Sequence, residues 1–179
     1  MTYLVRKISR AKWKNFDDPE GVVELALDKL SADAITSCLR TTKNSLSFWC
    51  LSDINDLKEL NKILFALTVR DETTVDINTT DIIFLEEEEL LQQKIKIEKI
   101  PGITLDDNLK SLHIDLCDLN HTNLTFLAGF FCEILNQKKS KRFTQTQMKN
   151  IIKTHIMENP KLKEEISDKL KRKLNLEQA

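Results

Sequence analysis

Three glycines, Gly21, Gly102 and Gly129, serve a chain of 179 residues, about a quarter of average usage. No two of them are near neighbours in sequence. A backbone that cradles a phosphate must turn sharply and bring its N–H groups close to the ligand, which takes clustered glycines. P-loop and dinucleotide-binding fingerprints are therefore excluded. What remains is a chain of regular elements suited to binding other macromolecules, with no nucleotide chemistry written into it.

The length suits one domain, or one domain with an appended helical piece. A net charge of −1 conceals segregation. Arg6, Lys7, Arg10, Lys12 and Lys14 open the chain without an acid, the middle holds Asp71, Glu72, Asp76, Asp81 and Glu86 to Glu89, and bases return from Lys138. Such patterning speaks of partners and not of fold. Cys38, Cys50, Cys117 and Cys132 form no CxxC pair and read as buried thiols. No stretch approaches 18 apolar residues and the first residues lack the apolar run of a signal peptide, so the expected location is cytoplasmic.

The expected fold class is α+β: a small mixed sheet with flanking helices over residues 1–121, then a helical region over 122–179 ending in a basic helix pair. Tyr3 to Ile8 and Leu46 to Leu51 read as strands. Asp18-Pro19 reads as a helix start, with Val22, Val23, Ala26, Leu27 and Leu30 following at helical spacing. A second helix carries Leu57, Leu60, Leu64 and Leu67 as its buried stripe, capped by Ser52 or Asp53 with Asp56 in its first turn. Ile82 to Leu85 is a short apolar run, and Ile95 and Ile97 alternate with charges as in a strand with one solvated face. Leu112 to Leu119 fits strand or helix equally. After Thr122 the pattern is helical throughout.

Two features point to docking. The helix from Thr122 onward is apolar almost all round, because Phe126, Phe130 and Ile134 widen the face made by Leu124, Leu127, Ala128, Phe131 and Leu135. A helix of this kind is buried on both sides or covered by a partner. Leu162, Ile166, Leu170 and Leu174 recur every four residues from Pro160 to Leu174, a narrow stripe fitted to a groove in a partner or in this chain. Lys161, Lys163, Lys171 and Arg172 lie opposite and are the candidates for contact with nucleic-acid phosphate, as in a helix-turn-helix. A sequence-reading helix would offer Asn, Gln or Arg to bases, and this one offers mostly Lys and Glu.

Chemistry has thin support. His113, Cys117 and His121 are spaced i, i+4, i+8, loosely like metal ligands on a helix, but ordinary strand residues explain them as well. Cys117 with His113 lacks a third orienting group for nucleophilic catalysis. Asp81 is a fair first acid for a metal-dependent nuclease, yet Glu98-Lys99 has the wrong register and Asp56-Leu57-Lys58 sits in a helix. His155, on an apolar face, reads as a satisfied buried histidine. No catalytic residue, cofactor or metal site is assigned.

The opening Tyr3-Leu4-Val5-Arg6-Lys7-Ile8-Ser9-Arg10-Ala11-Lys12-Trp13 resembles the start of small proteins of bacterial defence islands. In particular it is similar to the accessory, or middle, subunits of three-component systems built around an SMC-like ABC ATPase, the Lamassu type of phage defence. The resemblance covers those residues plus size and organisation. It implies a non-enzymatic subunit bridging an ATPase that senses DNA ends to an effector such as a nuclease, and it carries over no functional residue. Together these readings describe a non-catalytic subunit of a cytoplasmic complex in antiviral defence. A DNA-binding regulator or antitoxin using the basic C-terminal helices is the alternative, and a divalent-metal nuclease a third class.

Overall fold

In the computed structural model, which describes residues 2–18, 20 and 22–176, six strands share one sheet. They are β1 (Tyr3–Ile8), β2 (Leu46–Leu51), β3 (Thr80–Glu86), β4 (Lys96–Glu98), β5 (His113–Cys117) and β6 (Ser140–Phe143). The helices are α1 (Ala32–Cys38), α2 (Leu57–Thr68), α3 (Glu87–Gln92), α4 (His121–Asn136), α5 (Gln145–Glu158), α6 (Pro160–Glu165) and α7 (Asp168–Leu174). The class is α+β, as the sequence implies. Strand order is β4-β5-β2-β1-β3-β6.

The sheet expected to be mixed is antiparallel at every pairing. The reason is interleaving. β2 and β3, joined through α2, run parallel to each other as a helical crossover requires. β1 is inserted between them and is antiparallel to both. The α4 crossover from β5 to β6 likewise spans β2, β1 and β3.

Strand alternation feeds two apolar layers. Leu4, Ile8, Phe48, Ile83, Leu85 and Ile114 face α1 and α4 together with Trp13. Val5, Trp49, Leu51, Ile82 and Phe84 face α2, α5, α6 and α7. Because both faces are covered, the central strands read as apolar runs without clean alternation. Arg6 is the exception in the first layer. Its Nε and one terminal nitrogen donate to the Cys38 carbonyl at 3.0 and 2.7 Å, the other donates to the Ser47 carbonyl at 2.6 Å, and the guanidinium lies over the Phe48 ring. It thereby satisfies a carbonyl left orphaned at the end of α1. Burial pulls this guanidinium down to about 10, so it stays charged at neutral pH.

Residues 122–176 do not form a layer of their own. α4 fills one face, α5 to α7 cover the other, and β6 is an edge strand of the common sheet. β6 escapes sequence reading because Ser-Lys-Arg-Phe is polar, as edge strands commonly are.

The helix expected from Asp18-Pro19 through Leu30 is absent among the described residues there, where only Leu27–Lys29 makes a 3-10 turn; Pro19 and Gly21 lie outside the described residues. Side chains take the backbone groups that a helix would pair internally. Asn15 donates to Glu24 O and accepts from Ala26 N. Asn136 binds both the N–H and the carbonyl of Leu25. In α2 the cap is Asp56, whose Oδ1 accepts from the N–H groups of Lys58 and Glu59. Leu57, expected in the buried stripe, is therefore at the first turn and 64% exposed.

Candidate partner-docking surface

α4 begins at a reciprocal cap: Asn120 accepts from the N–H of Asn123, and Asn123 accepts from that of Asn120. Leu127, Ala128, Phe131, Cys132, Ile134 and Leu135 are buried along it. Its outer side is covered only in part, by the irregular segment held to Asn136. Leu27 reaches Gly129 closely enough that a Cβ there would lie 3.6 Å from its Cδ2. The cover stops short of Phe126 and Phe130, which are half-buried, with ring centroids 5.7 Å apart.

Phe130 is a wall common to two hollows. One, of about 220 Å³, is lined by Leu27, Thr125, Phe126, Gly129, Phe130 and Glu133. The other, of about 440 Å³, has Tyr3, Ile54, Phe84 and Ile134 among its apolar lining and Glu86, Glu89, Lys138 and Lys139 among its charged lining. Desolvation, reinforced by Glu86, raises the Glu89 carboxyl above its ordinary value. In the segment before Leu27, Phe16 (70%) and Val22 (84%) are exposed. Such a mixture of apolar and charged lining is compatible with a protein interface.

The other expected docking element is internal. Leu162, Ile166, Leu170 and Leu174 are all buried in the layer that contains α2 and α5. An uninterrupted helix with apolar residues every four positions rotates that line by about 40° per step. Here the chain breaks instead: Ile166 and Ser167 are extended, and Ser167 caps α7 while its N–H donates to Glu72 O. The break re-aims the last two leucines into the core. It also divides the proposed phosphate-contacting row, since Lys161 and Lys163 ride on α6 while Lys171 and Arg172 ride on α7. Lys161 and Lys171 face Glu165 and Asp168, each at 3.6 Å.

The chemical candidates are dispersed. β5 is a strand, so His113 and Cys117 share a face but stand about 13 Å apart along it, and His121 opens α4. Among the described residues no group of three or more His, Cys, Asp and Glu side chains is placed to hold a metal ion. Asp81 is gripped by Arg142, its partner in register on β6, at 2.7 and 3.0 Å. Glu98 pairs with Lys96 at 2.6 Å. His155 is buried against Asp106. No helix of the described residues is long and apolar enough to cross a membrane. In comparisons with known proteins, no family model, curated protein or solved structure matches the chain.

Sequence reasoning located Phe126 and Phe130 on an over-wide apolar helix face. It missed Leu27, which lines a hollow with both rings, and Tyr3, which lines the other hollow with Phe130, because these residues come from segments far apart in the chain.

Proposed function

We propose that the chain is a non-catalytic accessory subunit of a cytoplasmic multiprotein complex, docking through the Phe126–Phe130 surface of α4. The observation that carries the reading is the pair of hollows that share Phe130 and are lined by both apolar and charged side chains. Buried aromatic anchors dominate interface energies, and two adjoining phenylalanines beside open hollows suit that role. The resemblance of Tyr3 to Trp13 to accessory subunits of Lamassu-type systems supplies the partner class: an SMC-like ATPase and an effector, in antiviral defence.

Co-expression with an SMC-like ATPase from the same genome tests this. The two chains are expected to co-elute, and Phe126→Ser with Phe130→Ser is expected to weaken association at least tenfold. Since both rings touch the core, Leu27→Ser, at a side chain 41% exposed, provides a second variant with little cost to the fold. Unchanged association in variants that melt normally would refute the assignment of this surface. Absence of co-elution of the wild-type chain would refute the partner.

A further inference from the structure

We propose that the outer face of the α2–α5 helix pair binds the phosphate backbone of a nucleic-acid duplex. This face lies on the side of the sheet opposite α4, shares no residue with the two hollows at Phe130 and does not rest on the docking reading. Between the helices runs a groove of about 550 Å³, lined by Leu57 and Ile151 and by the polar Lys58, Lys62, Asn150 and Thr154. Lys58 and Lys62 are exposed and stand about one turn apart on α2. On α5, Lys149 and Lys153 come one position before Asn150 and Thr154, which sets them on the flank away from α2. Lys153 marks that flank by donating to the Asn175 carbonyl at 3.4 Å.

Charge decides the class of ligand. α5 holds no acid from Gln145 to Met157. The nearby carboxylates sit at helix ends or are taken: Asp56 caps α2 and Glu158 closes α5, Glu59 accepts from the N–H and hydroxyl of Ser52, and Asp106 is buried against His155. Among the described residues none of the four lysines pairs with a carboxylate. The α6–α7 row differs, since Lys161 and Lys171 already face acids. The counterions of the four lysines therefore come from solution, and their exchange for the phosphates of a polyanion drives binding.

The side chains present favour nucleic acid over an acidic protein. Protein interfaces are depleted in lysine and enriched in large aromatic residues, whereas this groove is flanked by lysines and has no Phe, Tyr or Trp in its lining. Lys, Asn and Thr are side chains that contact phosphate oxygens. Single strands are held by bases stacked on aromatic side chains, and the groove supplies no such platform. A duplex, which presents its phosphates outward, is the form that suits it.

The test follows the fluorescence anisotropy of a labelled DNA duplex titrated with the full chain. Four neutralised phosphates should lower the affinity roughly a hundredfold between about 50 and 200 mM salt. Lys58→Gln, Lys62→Gln, Lys149→Gln and Lys153→Gln together are expected to weaken binding at least tenfold at the lower salt and to flatten the salt dependence. The exposed pair Lys58→Gln with Lys62→Gln should weaken it at least threefold, a readout that survives if losing the Lys153 contact perturbs folding. No salt-dependent binding by the wild-type chain overturns the proposal. So does a greater loss when Lys161, Lys163, Lys171 and Arg172 are changed to Gln instead. Labelled poly-L-glutamate binding as tightly as the duplex would assign the face to an acidic protein, and a single strand binding more tightly would reject the duplex.

Discussion

Nε2 of His155 lies 2.8 Å from Oδ2 of Asp106, and both side chains are buried. The bond ties α5 to the turn ahead of β5, where Oδ1 of the same carboxylate accepts from the Asn108 N–H at 3.0 Å. The imidazole stacks on Phe65 with centroids 4.1 Å apart. One acid thus fastens two segments 49 residues apart. His155→Phe preserves the ring but leaves Oδ2 without its donor. The expected loss is about 3 kcal/mol, measured by denaturant unfolding. Asp106→Asn in the same chain should lose less than the sum of the two single changes.

Leu170 and Ile166 serve the core. Leu170→Ala is expected to cost about 2–5 kcal/mol, and Ile166→Asp with Leu170→Asp to abolish cooperative unfolding because two carboxylates enter an apolar layer. A double variant melting at the wild-type temperature would place the stripe outside the core.

Gly102 presses on the sheet. A Cβ there would lie 2.6 Å from Cη2 of Trp49 and 2.7 Å from Cβ of His113. Gly102→Ala must shift that loop and is expected to cost about 1–3 kcal/mol, with a changed Trp49 emission spectrum reporting the displacement.

Burial pushes the thiols of Cys50 and Cys132 up to about 11. Thiolate is the reactive form, so at pH 8 only about one in a thousand of these groups is ionised, against roughly a quarter for a free cysteine. Iodoacetamide should modify both at least a hundredfold more slowly than it modifies glutathione, read by mass spectrometry. Rapid labelling of the native chain would contradict this.

Asp71 is held down to about 2 by the N–H groups of Thr73 and Thr74, which donate to it at 2.9 and 2.6 Å. An unfolded aspartate titrates near 3.9. The contribution of this turn to stability is therefore fully present above about pH 4 and is lost as pH falls through about 2. A carboxyl carbon titration by NMR should find the Asp71 midpoint near 2; a midpoint near 4 would show that the turn does not hold.

Residues whose surroundings are local were legible in the sequence. β1 and β2 follow from short apolar runs, and α2 from its spaced leucines. Leu112 to Leu119 left strand and helix open because a short alternation satisfies both periods. Pairing with β2 decides it: Phe48 opposite Ile114 and Leu46 opposite Leu116 put these four apolar side chains in the layer that faces α1 and α4.

By itself the sequence determined the α+β class, the over-wide face of α4 and the absence of clustered glycines for a phosphate loop, since composition and periodicity encode these directly. Tertiary structure alone decided that residues 22–26 are irregular, that Ser140 to Phe143 is a strand and that the four stripe residues face inward. In each case the deciding partner is far along the chain: Asn136 for Leu25, Asp81 for Arg142 and Glu72 for Ser167. A hydrogen bond or buried contact from such a distance outweighs the few tenths of a kcal/mol per residue by which propensity favours one backbone state.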